Sequence, residues 1–157
     1  SSSRMECPIT SYSMKKDPLA VQYLKSAIDL QPKMYEAHYL LGMYYQENNQ
    51  LSEAFQEYDY ISTQIDSTLA DPYFNRGYIE LIYKSNYEEA AKWFGKAISC
   101  NPKMADAWYN RGFSYELAGK LSEAKADYKK TMEIQPNYSM AIKGLNRIEN
   151  GTSLKRR

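Results

Sequence analysis

Three stretches of this chain can be laid one under another, and a chain that repeats itself at this period has few folds open to it. Residues 105–136, ADAWYNRGFSYELAGKLSEAKADYKKTMEIQP, align with residues 70–102, ADPYFNRGYIELIYKSNYEEAAKWFGKAISCNP, and both align with YEAHYLLGMYYQENNQLSEAFQEYDYISTQID from Tyr35 to Asp66. Gly42, Gly77 and Gly112 recur at spacings of 35 and 35, and Ala20, Ala54, Ala90 and Ala124 at 34, 36 and 34. Leu24, Tyr58, Phe94 and Tyr128 follow the alanines, and Pro32, Pro102 and Pro136 close the units, with Asp66 standing in once.

Each unit reads as two helices. In the last copy Trp108, Gly112 and Tyr115 share one face at three- and four-residue spacing, and Ala124, Tyr128 and Thr131 share another. Ser52, Asn86 and Ser122 are expected N-caps of the second helices. Asp17-Pro18 and Asp71-Pro72 each offer a cap followed by a proline at the first helical position. A glycine in mid-helix costs about 1 kcal/mol relative to alanine. Three of them in register therefore point to close approach of the paired helix. Between Gly77 and Ala90 the middle unit carries one residue more than its neighbours, which its first helix or inner turn must absorb.

The chain resembles the tetratricopeptide-repeat family on Trp108, Gly112, Tyr115, Ala124, Tyr128 and Pro136, with Arg111 where the family has leucine and Thr131 where it has alanine. The middle unit keeps Gly77, Ala90, Phe94, Ala97 and Pro102. The resemblance covers about residues 17–149 and implies an all-α, right-handed superhelical solenoid of antiparallel helix pairs, about eight helices. The expected organisation is an irregular N-terminal segment 1–16, a half repeat 17–34, repeats 35–69, 70–104 and 105–138, a capping helix 139–149 and a basic tail 150–157.

Residues 17–31 match only a second helix, so the chain opens half a repeat short. Its face through Ala20, Leu24, Ala27 and Ile28 then needs cover. That cover is either the N-terminal segment, through Met5, Ile9 and Tyr12, or upstream chain or a partner. At the other end Ala141, Ile142, Leu145 and Ile148 form an apolar stripe opposite Lys143, Asn146, Arg147 and Glu149, with Gly151 as the stop.

Little points to catalysis. His38, the single histidine, aligns with Tyr73 and Trp108 and reads as a packing residue. A triad or multi-histidine metal site lacks its second histidine, and there is no glycine-rich phosphate loop. Glu53, Glu88, Glu89 and Glu123 fall at helix starts, where the helix dipole accounts for them. Cys7 and Cys100 make neither a metal pair nor a disulfide framework. No enzyme activity, metal or cofactor is expected. A net charge of +1 gives no electrostatic case for nucleic acid, and no apolar run reaches membrane-spanning length.

Sixteen tyrosines suit half-exposed interfaces. In the family the first helix of each unit lines a concave groove. The resemblance places there Glu36, Tyr39, Leu40 and Met43; then Asp71, Phe74, Asn75 and Tyr78; then Asp106, Tyr109, Asn110, Phe113 and Glu116. Family members that grip a C-terminal carboxylate use lysines, an arginine and asparagines. Here Tyr39 and Asp106 stand in the lysine slots and Asn110 in the arginine slot, while Asn75 and Asn110 match asparagine slots. The implied function is a protein-interaction scaffold or adaptor that binds a neutral or basic peptide with apolar anchors in its groove. The alternative is a structural or self-associating subunit joined through the N-terminal end. The compartment stays open. The start Ser1-Ser2-Ser3, without an initiator methionine, implies that a preceding segment was removed. It fits a cytoplasmic domain or, alternatively, the linker that follows the anchor of a bacterial lipoprotein.

Overall fold

A computed structural model describes residues 17–154, which fall into two compact units, one ending at Ile65 and one beginning at Asp66. The first holds α1 (Pro18–Leu30), α2 (Tyr35–Glu47) and α3 (Leu51–Tyr60), the last running on into a π-helical turn, Ile61–Ile65. The second holds α4 (Ala70–Tyr78) with its own π-helical continuation Ile79–Tyr83, then α5 (Tyr87–Cys100), α6 (Ala105–Leu117), α7 (Leu121–Ile134) and α8 (Ser139–Glu149). Among the described residues there are eight α-helices and no strand, an all-α fold of paired helices.

Rings laid on glycines hold the pairs together. A Cβ added to Gly42 would sit 2.6 Å from the Tyr58 ring, one at Gly77 3.0 Å from Phe94, and one at Gly112 3.1 Å from Tyr128 and 3.0 Å from Asp127 Cβ. All three rings are essentially fully buried, as are Ala54, Ala90 and Ala124 one turn before them. The residue four after each glycine completes the contact. Tyr58 donates its hydroxyl to Gln46 at 2.9 Å and Tyr128 donates to Glu116 at 2.7 Å. In the middle unit Phe94 has no hydroxyl to place, and the corresponding residue is the buried Leu81, packed in the same cluster.

The inner turns are tighter than the sequence suggests, and the expected caps move. Asn49 and Gly119 take left-handed backbone (φ 59° and 80°), a conformation asparagine and glycine tolerate best. The next residue closes the first helix and opens the second. Gln50 and Lys120 donate their N–H back to Tyr45 and Tyr115, and their carbonyls accept from Ala54 and Ala124. Ser52 and Ser122 therefore lie inside the first turn. Asn86 is an N-cap by position, but its amide donates to Glu80 at 2.9 Å instead of capping. Asp17 caps α1 as expected, accepting from Leu19 N–H at 3.0 Å. Asp71-Pro72 lies within α4, which starts at Ala70; a proline in the first turn forfeits no helical hydrogen bond.

Two single-residue insertions explain the uneven spacing, and each is taken up by a π-helical turn. Ile79–Tyr83 absorbs the extra residue between Gly77 and Ala90. The turn behind it closes from Asn86 N–H to the Glu80 carbonyl, one residue wider than its counterparts, with Ser85 left-handed at φ 53°. Ile61–Ile65 absorbs a second. That shift puts Ser67, not Asp66, in the proline register, while Asp66 accepts the Thr68 N–H at 2.8 Å and holds the turn. The structure also gives the register of His38, Tyr73 and Trp108 a shared purpose. Each donates to the carbonyl six residues back: His38 Nε2 to Pro32 at 2.7 Å, Tyr73 to Ser67 at 3.1 Å, Trp108 to Pro102 at 2.8 Å.

At the first end, Ala20, Leu24, Ala27 and Ile28 are half-buried, and the apolar residues left exposed are Leu19, Tyr23 and Leu30. The expected covering residues Met5, Ile9 and Tyr12 lie outside the described residues. In α8 the stripe is rotated from expectation: Ala141 and Gly144 are buried, Ile142 is exposed and Arg147 turns inward. The reason is Gly144, whose missing side chain lets the helix sit on Tyr128, 2.5 Å from where a Cβ would be.

Glycine substitutions separate these contacts from simple helix propensity. Gly77→Leu and Gly112→Leu should each lower stability by about 1–3 kcal/mol through overpacking. Gly95→Ala, where an added Cβ meets nothing closer than an Arg111 nitrogen at 3.6 Å, should raise it by about 0.5–1 kcal/mol. Urea unfolding of the three variants would expose an error if all moved in one direction.

Candidate functional site

Within the unit that begins at Asp66, the first-helix face carries a hollow of about 450 Å³. Tyr78 and Ile82 line it from α4 and its π-helical turn, Tyr109, Asn110 and Phe113 from α6, and Tyr138, Met140, Lys143, Arg147 and Leu154 from α8 and the residues around it. Four expected groove residues of this unit thus meet. Phe74 lies against the Phe94 ring at 5.4 Å, Asn75 is half-buried, and Asp71 is exposed at the helix start. Asp106 is exposed and accepts the Tyr138 hydroxyl at 2.6 Å, while the Asn110 amide donates to the Asp106 carbonyl at 2.7 Å. In the other unit Glu36 is exposed and Tyr39, Leu40 and Met43 are half-buried on α2, with Tyr39 stacked on Tyr35 at 5.6 Å.

Two expected lining residues are structural. Tyr109 is only 6% exposed, its ring packed among Phe113, Tyr128 and Tyr138 at 6.1, 5.9 and 5.1 Å. It forms the floor of the hollow. Glu116, expected to face a partner, is 0% exposed. Its position four residues after Gly112 aims it at the Tyr128 hydroxyl beneath α8.

Glu116 gathers four donors. Tyr128 and Arg147 Nη2 reach Oε1 at 2.7 and 2.9 Å, and Arg147 Nε and the Leu154 N–H reach Oε2 at 3.1 and 2.9 Å. Burial alone would raise its pKa. The bonds from Arg147, Leu154 and Tyr128 outweigh burial and hold the carboxyl below the ordinary glutamate value. Burial and the bonds to Glu116 and Asp106 raise the Tyr128 and Tyr138 hydroxyls, which stay neutral donors. Asp127, also buried, takes both arms of Arg111 at 2.8 Å. Arg111 also lies 4.9 Å above Trp108, which accounts for an arginine in the family's leucine position. The middle unit has Trp93 in the place of Asp127, and Arg76 stacks on that ring at 4.1 Å.

Sequence reasoning missed the α8 half of the hollow: Tyr138, Met140, Lys143, Arg147 and Leu154. One signal was available. Tyrosine with glutamine or glutamate in two units and phenylalanine with leucine in the third, at one fixed offset, mark Glu116 as the partner of a buried hydroxyl. Nothing in the local sequence pairs Arg147 with a carboxylate 31 residues away. Among the described residues, no three of the His, Cys, Asp and Glu side chains are grouped to hold a metal ion, and no helix is long and apolar enough to cross a membrane.

Models of the tetratricopeptide repeat match residues 18–66 and 105–138, and a further TPR repeat model matches 80–119. The chain belongs to the tetratricopeptide-repeat family. It is 38% identical over 74 residues to Hsp70-Hsp90 organizing protein 1 of Glycine max, covering 47% of this chain and 13% of that one. It is 33% identical over 79 residues to anaphase-promoting complex subunit 3 of Schizosaccharomyces pombe, covering 50% and 12%. The tetratricopeptide chain thus spans only a small part of these relatives. Among solved structures it resembles MamA (TM-score 0.74, 24% identity, 83% of this chain and 75% of that one). It also resembles the first TPR of Spaghetti (RPAP3) bound to the HSP90 peptide SRMEEVD (0.68, 24%, 74% and 91%). A further match is the second TPR domain of human RPAP3 in complex with the HSP70 peptide SGPTIEEVD (0.65, 25%, 74% and 98%).

The lowered Glu116 value carries a pH signature. A carboxyl whose folded pKa is depressed contributes stability that is fully present above about pH 4.3, the ordinary value. That contribution is lost as pH falls through the folded value. Glu116→Gln should cost about 1–3 kcal/mol at neutral pH by weakening its bonds to Arg147 and Tyr128. It should also flatten the fall in melting temperature below about pH 4.3. An unchanged acid limb in thermal melts would remove Glu116 from that role.

Proposed function

We propose that this chain is a protein-interaction adaptor that takes a peptide segment of a partner on the first-helix face of its repeats. The observation that carries the reading is the aromatic and apolar hollow of the unit beginning at Asp66. Rings and chains at Tyr78, Ile82, Phe113 and Met140 offer anchoring area. Asn110 and Lys143 supply polar contacts at its edge, the mixture expected of a peptide groove. The two peptide-bound RPAP3 structures support the same class of ligand for this repeat architecture. Catalysis is the weaker reading, because the buried carboxylates Glu116 and Asp127 are each committed to an arginine and the buried Glu80 to Asn86 and Lys84.

The partner segment is neutral or basic with apolar anchors. Tyr39 and Asp106 occupy the lysine slots of the carboxylate clamp and Asn110 its arginine slot, so an acidic C-terminus has little to grip. Asp71 and Asp106 stay exposed in the first turns of α4 and α6 and favour positive charge there. On α2 of the other unit, Glu36, Tyr39, Leu40 and Met43 offer a comparable acidic and apolar face. An array of immobilised peptides, half neutral or basic and half acidic including SRMEEVD, tests this with fluorescence anisotropy on the hits. Neutral or basic peptides with large apolar residues should bind. Ile82→Glu with Met140→Glu, both at exposed positions, should weaken them by about tenfold or more, roughly 1.4 kcal/mol. Preference for SRMEEVD, or indifference to the double variant, would refute the reading.

A second reading, self-association through α1, is favoured by Leu19, Tyr23 and Leu30, large apolar residues left exposed on one helix. Sedimentation equilibrium should then show a concentration-dependent mass that Tyr23→Lys with Leu30→Lys abolishes. A monomer at every concentration tested eliminates it.

A further inference from the structure

Of the residues that follow α8, Leu154 reaches back to the hollow and forms part of its wall. Gly151, left-handed at φ 70°, ends the helix with Thr152 N–H bonded to the Arg147 carbonyl at 2.8 Å and its own N–H to Ile148 at 3.2 Å. The same pair of bonds closes the inner turn at Gly119, so the chain reverses after α8 as it does between paired helices. After the reversal Leu154 reaches the hollow and joins its lining, and its backbone N–H donates to Glu116 Oε2 at 2.9 Å. Leu154 remains 41% exposed, so it lies against the hollow without being sealed into the core. Glu116 does not depend on it, since Arg147 Nε holds the same oxygen. A bond that can be given up without stranding a buried charge, and an apolar side chain that is only partly covered, make a removable contact.

We propose that Leu154 is an in-chain occupant of one side of the peptide hollow, displaced when a partner binds. The partner then brings to that point an extended strand with a leucine-sized side chain in the hollow and a backbone N–H directed at Glu116. The proposal rests on the peptide-binding reading of this hollow and adds to it the partner's local chemistry and a built-in competitor. An attached segment competes at an effective concentration of about millimolar, enough to suppress weak ligands and to let only better-fitting ones enter.

The probe is a labelled synthetic peptide of sequence Thr-Ser-Leu-Lys-Arg-Arg, acetylated at its start and added in trans. Two full-length chains are compared by fluorescence anisotropy, the natural one and Leu154→Pro, which deletes both the leucine and the N–H given to Glu116. Circular dichroism of each confirms that the helices persist. The variant should bind the peptide about tenfold more tightly than the natural chain. A peptide in which leucine is replaced by aspartate should bind neither. Equal binding of the probe to both chains, or no binding to the variant, overturns the in-chain occupant. The array peptides separate this from the broader reading. If they bind both chains with equal affinity, the hollow is a peptide site and only the competitor is lost. If no array peptide binds either chain, the peptide-binding reading itself falls.

Discussion

Everything else in this fold depends on an aromatic ring of one helix resting on a glycine of its partner. The contact removes a Cβ and places ring carbons in its volume, so the two helices approach more closely than any larger residue would allow. Dispersion and burial of a fully covered ring contribute on the order of 1.5–3 kcal/mol, which offsets the roughly 1 kcal/mol that glycine costs in mid-helix. Tyr128 does this twice, with Gly112 on one side and Gly144 of α8 on the other. This last helix is thus attached by the same device that builds the pairs before it.

A ring fixed in this way makes its own polar demand. Tyr58 and Tyr128 bring a hydroxyl into the interior, and a buried hydroxyl without a partner costs about 1–3 kcal/mol. Gln46 and Glu116 meet that demand, and where Phe94 makes none, Leu81 replaces them. Choosing glutamate instead of glutamine in the last unit creates a second demand, because a buried carboxylate needs a cation and more donors. Arg147 of α8 answers it, and the Leu154 N–H adds to the answer. One choice, tyrosine with glutamate, therefore reaches from the core of the pair through α8 to the segment beyond it.

The helix pairs and their contacts were legible because any side chain at Gly42, Gly77 or Gly112 would press on the ring opposite it, and that constraint is written at every repeat. Helix ends were less legible. Serine's capping propensity pointed to Ser52 and Ser122, but a left-handed residue followed by one doubly used residue leaves no room for a separate cap. An insertion shows in the count and not in its place, since a single residue can widen a loop or a helical turn. Both here became π-helical turns, at Ile61–Ile65 and Ile79–Tyr83. Of the hollow, Tyr78, Tyr109, Asn110 and Phe113 followed from register. The α8 side did not, because it is set by contacts more than 30 residues apart.

Glu116 and Arg147 show why register alone places a groove imperfectly. A repeat fixes which backbone positions face the concave side, yet it leaves open whether a side chain there is offered to a partner or consumed inside the protein. Asp106 and Glu116 lie ten residues apart on α6, both acids assigned to the same face. One remains exposed, bonded to a tyrosine hydroxyl at its rim; the other is wholly covered and holds four donors. What separates them is the neighbouring ring: Tyr128 reaches Glu116 from the second helix, while Asp106 stands at the start of its helix. The charge such a surface presents is therefore what remains after the interior has taken what it needs, and in the last unit the interior takes Glu116.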